Sequence, residues 1–427
     1  MRRENLFSGI YPREKYLARI RPFYDSDIVK VITGIRRCGK SFILRSVMNE
    51  IAANGIPASR IIYLPLEQRG YKGIRTPEDL EELIAARLSD DVAHYLFLDE
   101  IQNVRGFESV VAAYAAEGHS IFMTGSNSYL LSDEISTRLT GRYLSFEVFP
   151  LDFREYLEMK QFRRRSIDPD VYAEFDEYVR NGGFPKSLEF EDLNARQTYS
   201  EGIISEIIKK DVRSRRKITN LALFERIQSF LISNYAATFS LASLMEGLKK
   251  EGFAAKAATV RGYIEELRMA KIVSECNRFD LKSRKALKRE QKYYLTDLAI
   301  YFALNTDNRI SYGSSLENLV YVYLVSNGYQ VSIGKIGRLE CDFIVRDRMQ
   351  GYAYIQVAYT LHAEDPEATQ RLREREYRPF RDIRDGYPRY IVSLDRHRDQ
   401  QEGVIHISAV DLFLGKVSIG RSLILNP

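Results

Sequence analysis

The sequence predicts an α/β fold at its N-terminal end, a parallel sheet whose strands alternate with helices, followed by helical and further α/β segments. Three observations carry that expectation. Residues 29–33, VKVIT, form a short β-branched run that stops at Gly34, and residues 41–49 then place apolar side chains at helical spacing. Residues 95–98, YLFL, form a second apolar run and end on Asp99-Glu100. A third, SIFMTG, follows at residues 120–125. Short apolar runs separated by helical segments suit strands buried on both faces, as in a parallel sheet.

The turn after the first run is the most specific stretch. Gly34, Gly39, Lys40 and Ser41 fit the pattern G-x-x-x-x-G-K-[ST] without a mismatch. Ile35, Arg36, Arg37 and Cys38 lie inside it and Phe42 follows, so residues 34–42 are the predicted phosphate-binding loop. Glycines let backbone N–H groups turn inward, and the helix that begins at the lysine adds its positive end. The expected ligands are ATP and Mg²⁺, with Lys40 reaching the β- and γ-phosphates and Ser41 holding the metal. Cys38 sits within this loop, so modification of its thiol is expected to block nucleotide.

The second run supplies the matching acids. A buried strand that ends in Asp99 presents a carboxylate to the Mg²⁺ shell, and Glu100 beside it is placed to orient and deprotonate a water. Ser126 and Asn127 follow the third run, where a polar side chain either senses the γ-phosphate or caps the next helix. Arg138 and Arg142 precede a further apolar segment. Each is a candidate for stabilising transition-state charge, with a plain surface arginine as the alternative.

Taken in order, GIRRCGKS, FLDEIQ, TGSNS and LTGRY resemble the prokaryotic AAA-type ATPases that carry an uncharacterised C-terminal domain. NGGFPKSL at 181–188 and SSLENLVYVYL at 314–324 extend the resemblance over nearly the whole chain. It implies a five-stranded parallel core with ATP at its strand ends, a winged-helix segment, and a C-terminal fold related to restriction endonucleases.

Composition agrees with a folded protein of several domains. The chain has 427 residues, 45% hydrophobic and 28% charged, which is enough apolar mass for separate cores. Three scattered cysteines suit a reducing compartment rather than a disulfide framework, and five dispersed histidines suggest no metal cluster. With no N-terminal apolar segment and no run long enough to span a bilayer, the expectation is a cytoplasmic protein without a membrane partner. A net charge of +5 permits nucleic acid without requiring it.

The domains expected are an AAA-type ATPase at 1–150, a helical lid or connector at 151–220, a winged helix at 221–305, and a degenerate nuclease-like domain at 306–427. In the third, the order helix, helix, helix, hairpin makes residues 256–270 the recognition helix, offering Lys256 and Arg261 to double-stranded DNA. The hairpin stretch RFDLKSRKALKREQK, 278–292, holds seven Lys or Arg. Arg284, Lys285, Lys288 and Arg289 would touch phosphates, with a protein contact or a solvated loop as the alternatives. No repeated alternation of aromatic residues with these cations argues for stacking on single strands.

In the fourth, Glu317, Asp342 and Gln356 occupy in order three of the four positions of a restriction-type metal site. The lysine position is Ala358, and Lys335 is the nearby candidate to replace it. The predicted function is therefore a Mg²⁺-dependent ATPase coupled to a DNA-contacting winged helix and an inactive nuclease-like domain. The alternatives are a nucleotide-gated switch that contacts protein partners, and an active DNA nuclease. Assembly into a homo-oligomer stays open.

Overall fold

The computed structural model describes residues 6–89, 92–126, 142–213, 218–305, 311–347, 351–396 and 398–420. The chain divides into two compact units, 1–150 with 269–271, and 151–268 with 272–427.

The first unit is built on β1 (Val29–Thr33), β2 (Ile61–Pro65), β3 (Tyr95–Asp99), β4 (Ser120–Gly125) and β5 (Tyr143–Glu147), in the order β2-β3-β4-β1-β5. Every pairing is parallel, which brings all the C-terminal strand ends to one edge. β1, β3 and β4 are buried at every position, as apolar runs without alternation require. Helices α1 (Glu14–Ile20), α2 (Lys40–Ala53), α3 (Pro77–Ala85) and α4 (Phe107–Ala116) accompany the sheet. Thr76 and Asp79 form a reciprocal capping box that starts α3, with Pro77 at its first position. Leu64, Leu80, Leu96, Phe107 and Val111 join the core between sheet and helices.

The second unit begins with α5 (Phe153–Phe162), α6 (Val171–Asn181) and α7 (Leu193–Ile207). Asp297 accepts the N–H of Gly183 at 2.7 Å, which ties the turn after α6 into the interior of the unit. α8 (Leu221–Ser233), α9 (Leu241–Lys250) and α10 (Ala257–Met269) lead into the hairpin β6 (Val273–Asp280) and β7 (Lys285–Leu295). After α11 (Ala299–Leu304) and α12 (Tyr312–Ser326) come β8 (Gln330–Ile336), β9 (Leu339–Asp347) and β10 (Gly351–Val357). α13 (Pro366–Arg381) then crosses to β11 (Arg389–Ser393), followed by β12 (Asp399–Gln401), β13 (Val404–Ser408) and α14 (Ala409–Phe413). β8, β9 and β10 pair antiparallel, while β10 and β11 are parallel, as the helical crossover requires.

The expected segments 151–220, 221–305 and 306–427 thus share one unit. β6 pairs with β8, so the hairpin completes an eight-stranded sheet and no boundary at residue 305 separates it from the C-terminal strands. No helix among the described residues is long and apolar enough to cross a membrane.

Candidate functional site

The parallel register determines which side chains meet at the C-terminal edge of the first sheet. The loop leaves β1 at Gly34, whose φ is +148°, and a Cβ there would lie 2.1 Å from the Val148 carbonyl oxygen. Only glycine lets the chain pass so close. Gly39 then caps α2 in a left-handed conformation, and the first N–H groups of that helix have no acceptor within it. Lys40 is buried, and its Nζ donates to the carbonyls of Gly34 at 3.2 Å and Ile35 at 3.3 Å. It also stands 3.7 Å from Glu100.

β3 and β4 supply the other half. The Asp99 carboxylate accepts Ser41 Oγ at 2.9 Å, Thr124 Oγ1 at 2.5 Å and Tyr63 OH at 2.9 Å. Burial pushes Asp99 above its ordinary range against these three hydroxyls. Glu100 goes the other way. Burial alone would raise it, yet Lys40, Gln102, Arg36 and the Ser126 N–H together hold it below the usual carboxylate range. Glu100 is therefore a buried anion. Its backbone is left-handed at φ 57°, an uncommon conformation for a glutamate, and its N–H donates to Thr124 Oγ1 at 2.9 Å.

Ser126 is wholly buried beside Glu100, and among the described residues its Oγ has no hydrogen-bond partner. Phe42 is 49% exposed at the rim, with the Arg45 guanidinium 5.4 Å from its ring. Arg36 reaches Glu67 at 3.1 Å, whereas Arg37 is exposed and left-handed at φ 69°. The two loop arginines thus have separate surroundings.

Two expectations need correction. Cys38 is fully buried, and burial foremost pushes its thiol above the ordinary value, so it is poorly disposed to react. Arg142 precedes β5, which runs beside β1 from Val29↔Tyr143 to Thr33↔Glu147. It therefore sits at the opposite end of the sheet from the loop, roughly 16 Å away at about 3.3 Å per strand residue. Within its own chain it does not reach a phosphate held by Lys40. Asn127 and Arg138 lie outside the described residues. Thr124 and Tyr63 were missed by sequence reasoning, although each is a hydroxyl near the C-terminal end of a largely apolar strand, and that is a usable signal.

In the second unit Glu317, Asp342 and Gln356 do converge. The Gln356 Oε1 accepts the Asp342 N–H at 3.3 Å, and Asp342 accepts the Val357 N–H at 2.8 Å. Ala358, at the expected lysine position, is buried in the core, and the cation in this centre is not Lys335. It is Lys292 of β7, 2.9 Å from Glu317, 2.9 Å from Glu340 and 3.9 Å from Asp342. Tyr294 OH also donates to Glu317, at 2.7 Å. Burial raises both Glu317 and Asp342, Asp342 far above its ordinary value. Among the described residues, no group of three or more His, Cys, Asp or Glu side chains is arranged to hold a metal ion.

Two of the basic residues line different cavities. Lys256, Arg261, Arg284 and Lys285 are all exposed, but Arg261 lines a cavity of about 700 Å³ shared with Glu265, Glu275 and Glu290. Arg284 lines a different one of about 620 Å³. The side chains of Lys288 and Arg289 lie outside the described part.

Residues 26–157 match the family described as AAA domain, and residues 172–310 match a domain of unknown function (DUF8612). An uncharacterised protein of Haemophilus influenzae is 30% identical over 407 residues, covering 94% of this chain and 98% of that one. An uncharacterised protein of Methanocaldococcus jannaschii is 30% identical over 348 residues, 79% of this chain and 76% of that one. Among solved structures, the Walker-type ATPase of Pyrococcus abyssi superposes with a TM-score of 0.50 at 16% identity, over 71% of this chain and 98% of that one. That likeness is one of fold. The chain carries an AAA domain of P-loop ATPase fold and belongs to the family of its Haemophilus influenzae relative.

Proposed function

We propose that the first unit binds ATP with Mg²⁺ at the C-terminal ends of β1, β3 and β4 and hydrolyses it. The observation that carries this reading is the convergence of Lys40, Ser41, Asp99 and an ionised Glu100 from two separate loops. Lys40 balances charge on the β- and γ-phosphates, and the amides of the loop and of the α2 N-terminus receive their oxygens. Ser41 and Asp99 bring a hydroxyl and a carboxylate within 2.9 Å of each other, hard oxygen donors that fit Mg²⁺. When bound, Mg²⁺ supplies charge neutralisation at the phosphate oxygens, and Ser41 and Asp99 would hold it. Glu100 accepts a proton from water, whose oxygen bonds to the γ-phosphorus while ADP leaves. The Ser126 hydroxyl is the polar sensor beside this base. Arg142 can serve a γ-phosphate only from a neighbouring chain, in a homo-oligomer.

For the second unit, the order α8, α9, α10, β6, β7 supports a winged helix. Lys256 and Arg261 face a groove of double-stranded DNA in this reading, while Arg284, Lys285, Lys288 and Arg289 face its phosphates. The helix α12, the meander β8–β10 and the crossover to β11 support a nuclease-like ancestry, with Lys292 engaged by carboxylates rather than free to activate water.

The test is ATP turnover by the full chain in Mg²⁺ and in EDTA, with and without duplex DNA at several salt concentrations. Turnover that needs Mg²⁺ and DNA affinity that falls steeply with salt are expected. A chain that neither binds nor turns over ATP overturns the reading.

A further inference from the structure

The 620 Å³ cavity of the second unit lies where the β6–β7 turn faces β10 and the loop after α13. Its size falls in the range of about 300–1,000 Å³ typical of ligand sites. Its walls combine two chemistries. Lys282, Arg284 and Arg384 contribute exposed cations, while Phe279, Tyr352 and Tyr387 contribute rings. Asp382 and Asp385 are the acids on the same walls, and Asp385 is occupied by Tyr354 OH at 2.6 Å and the Tyr387 N–H at 3.1 Å.

The rings are braced rather than loose. Tyr352 stands edge-on to Tyr387 with centroids 5.4 Å apart, tilts against Phe279 at 6.4 Å, and has the Arg346 guanidinium 6.0 Å from its centroid. Tyr387 rests on the backbone of Gly351, where an added Cβ would lie 2.5 Å from the ring. That close approach needs glycine, and it fixes the ring while leaving Tyr387 39% exposed. The Asp280 carboxylate accepts Lys282 N–H at 3.1 Å and Ser283 Oγ at 2.8 Å, which holds the turn carrying Lys282 and Arg284.

We infer that this cleft binds a segment of single-stranded nucleic acid, with a base stacked on Tyr387 and adjacent phosphates paired to Lys282, Arg284 and Arg384. Stacked rings beside a cationic edge are the elements of sequence-tolerant single-strand binding. A duplex keeps its bases stacked internally and has no use for the ring, and an acidic peptide has the charge without the π-face. The sequence concealed the site because the rings come from β6, β10 and the loop after α13, far from one another along the chain. The inference does not rest on ATP hydrolysis or on duplex binding by α10.

Because the chain contains no tryptophan, Tyr387→Trp places a unique fluorophore on the stacking face. The full-length variant is titrated with a thymidine oligonucleotide of about twelve nucleotides, within the usual site sizes of about 4–16. Parallel titrations use an abasic strand of equal length, the matching duplex and polyglutamate. Quenching by the thymidine strand is expected, with binding at least about tenfold weaker for each of the other three. In fluorescence anisotropy with a labelled strand, Tyr387→Ala and Gly351→Ala should each weaken binding about tenfold at unchanged salt dependence. Lys282→Glu with Arg284→Glu should weaken it and flatten the salt dependence. Tyr387→Phe should retain affinity, and Lys40→Ala should leave the titration unchanged. Equal quenching at position 387 by the abasic strand, the duplex or polyglutamate overturns the inference, as does Tyr387→Ala binding the thymidine strand like the unaltered chain.

Discussion

The two buried centres of this protein use the same residue types to opposite effect. At the edge of the first sheet, Lys40 donates to two loop carbonyls and stands 3.7 Å from Glu100, which is held ionised. In the second unit Lys292 lies 2.9 Å from both Glu317 and Glu340, and burial forces Glu317 and Asp342 toward their protonated forms. The first arrangement has unspent capacity: a Ser126 hydroxyl without a partner among the described residues, helix-end amides and an anion next to a cation. The second has satisfied its lysine internally. Capacity left over, more than the presence of acids and a lysine, distinguishes a reactive centre from a structural one.

The largest effect should come from Lys40→Ala, because the glycine cradle alone cannot balance the β- and γ-phosphate charge. Equilibrium dialysis with labelled ATP should show tight binding abolished, and the melt of the apo chain should fall as well, because Glu100 loses its buried cation. Retained tight binding would make Lys40 as structural as Lys292 is argued to be.

Next in size is Lys292→Met. Removing one partner of a buried ionic cluster typically costs about 3–5 kcal/mol. Glu317 and Asp342 hold protons to higher pH folded than unfolded, so their contribution is present below the ordinary carboxylate range and declines as pH rises. The penalty of Lys292→Met measured by urea unfolding should therefore be larger at pH 7 than at pH 5. A penalty independent of pH would show that the carboxylates do not depend on Lys292.

A third buried lysine sharpens the contrast. Lys30 in β1 donates to Ser26 O and Ser120 Oγ, each at 2.8 Å, and lies 4.4 Å from the Phe122 ring centroid. Burial lowers its pKa to about 7 against the pull of Asp27 and Asp25. The unfolded chain then binds the extra proton between about pH 7 and the ordinary lysine value. Stability should rise with pH across that window, by up to about 1.4 kcal/mol per pH unit. Lys30→Met should remove that slope, which unfolding curves at pH 7, 8 and 9 will show. The smallest effect is expected at Lys335, the lysine favoured by sequence proximity. Lys335→Met should change stability by no more than about 0.5 kcal/mol, since it stands outside the Lys292 cluster.

What was legible in the sequence follows from how each site is assembled. Gly34–Ser41 and Asp99-Glu100 are contiguous, because one turn after one strand builds each half, and a parallel sheet brings such turns to one edge. Thr124 and Tyr63 act through that edge from other strands, so no local spacing announces them. Lys292 reaches its carboxylates only because β6–β7 joins the C-terminal sheet, a pairing that the expected boundary at residue 305 had ruled out. Arg142 misled for a related reason. Proximity to an apolar run does not say which end of the strand a residue occupies, and register placed it at the far end.

The measurement that bears most directly on the contrast between a spent and an unspent centre is Glu100→Gln. Its carboxylate is held ionised by Lys40, Gln102, Arg36 and the Ser126 N–H, yet the substitution leaves Lys40, Ser41 and Asp99 in place. ATP affinity and steady-state turnover should be measured on the same preparation. Affinity within a few-fold of the unaltered chain, with turnover lower by about 10²–10⁴-fold, is predicted for the loss of a general base. Turnover close to that of the unaltered chain would remove Glu100 from the chemistry and contradict the account.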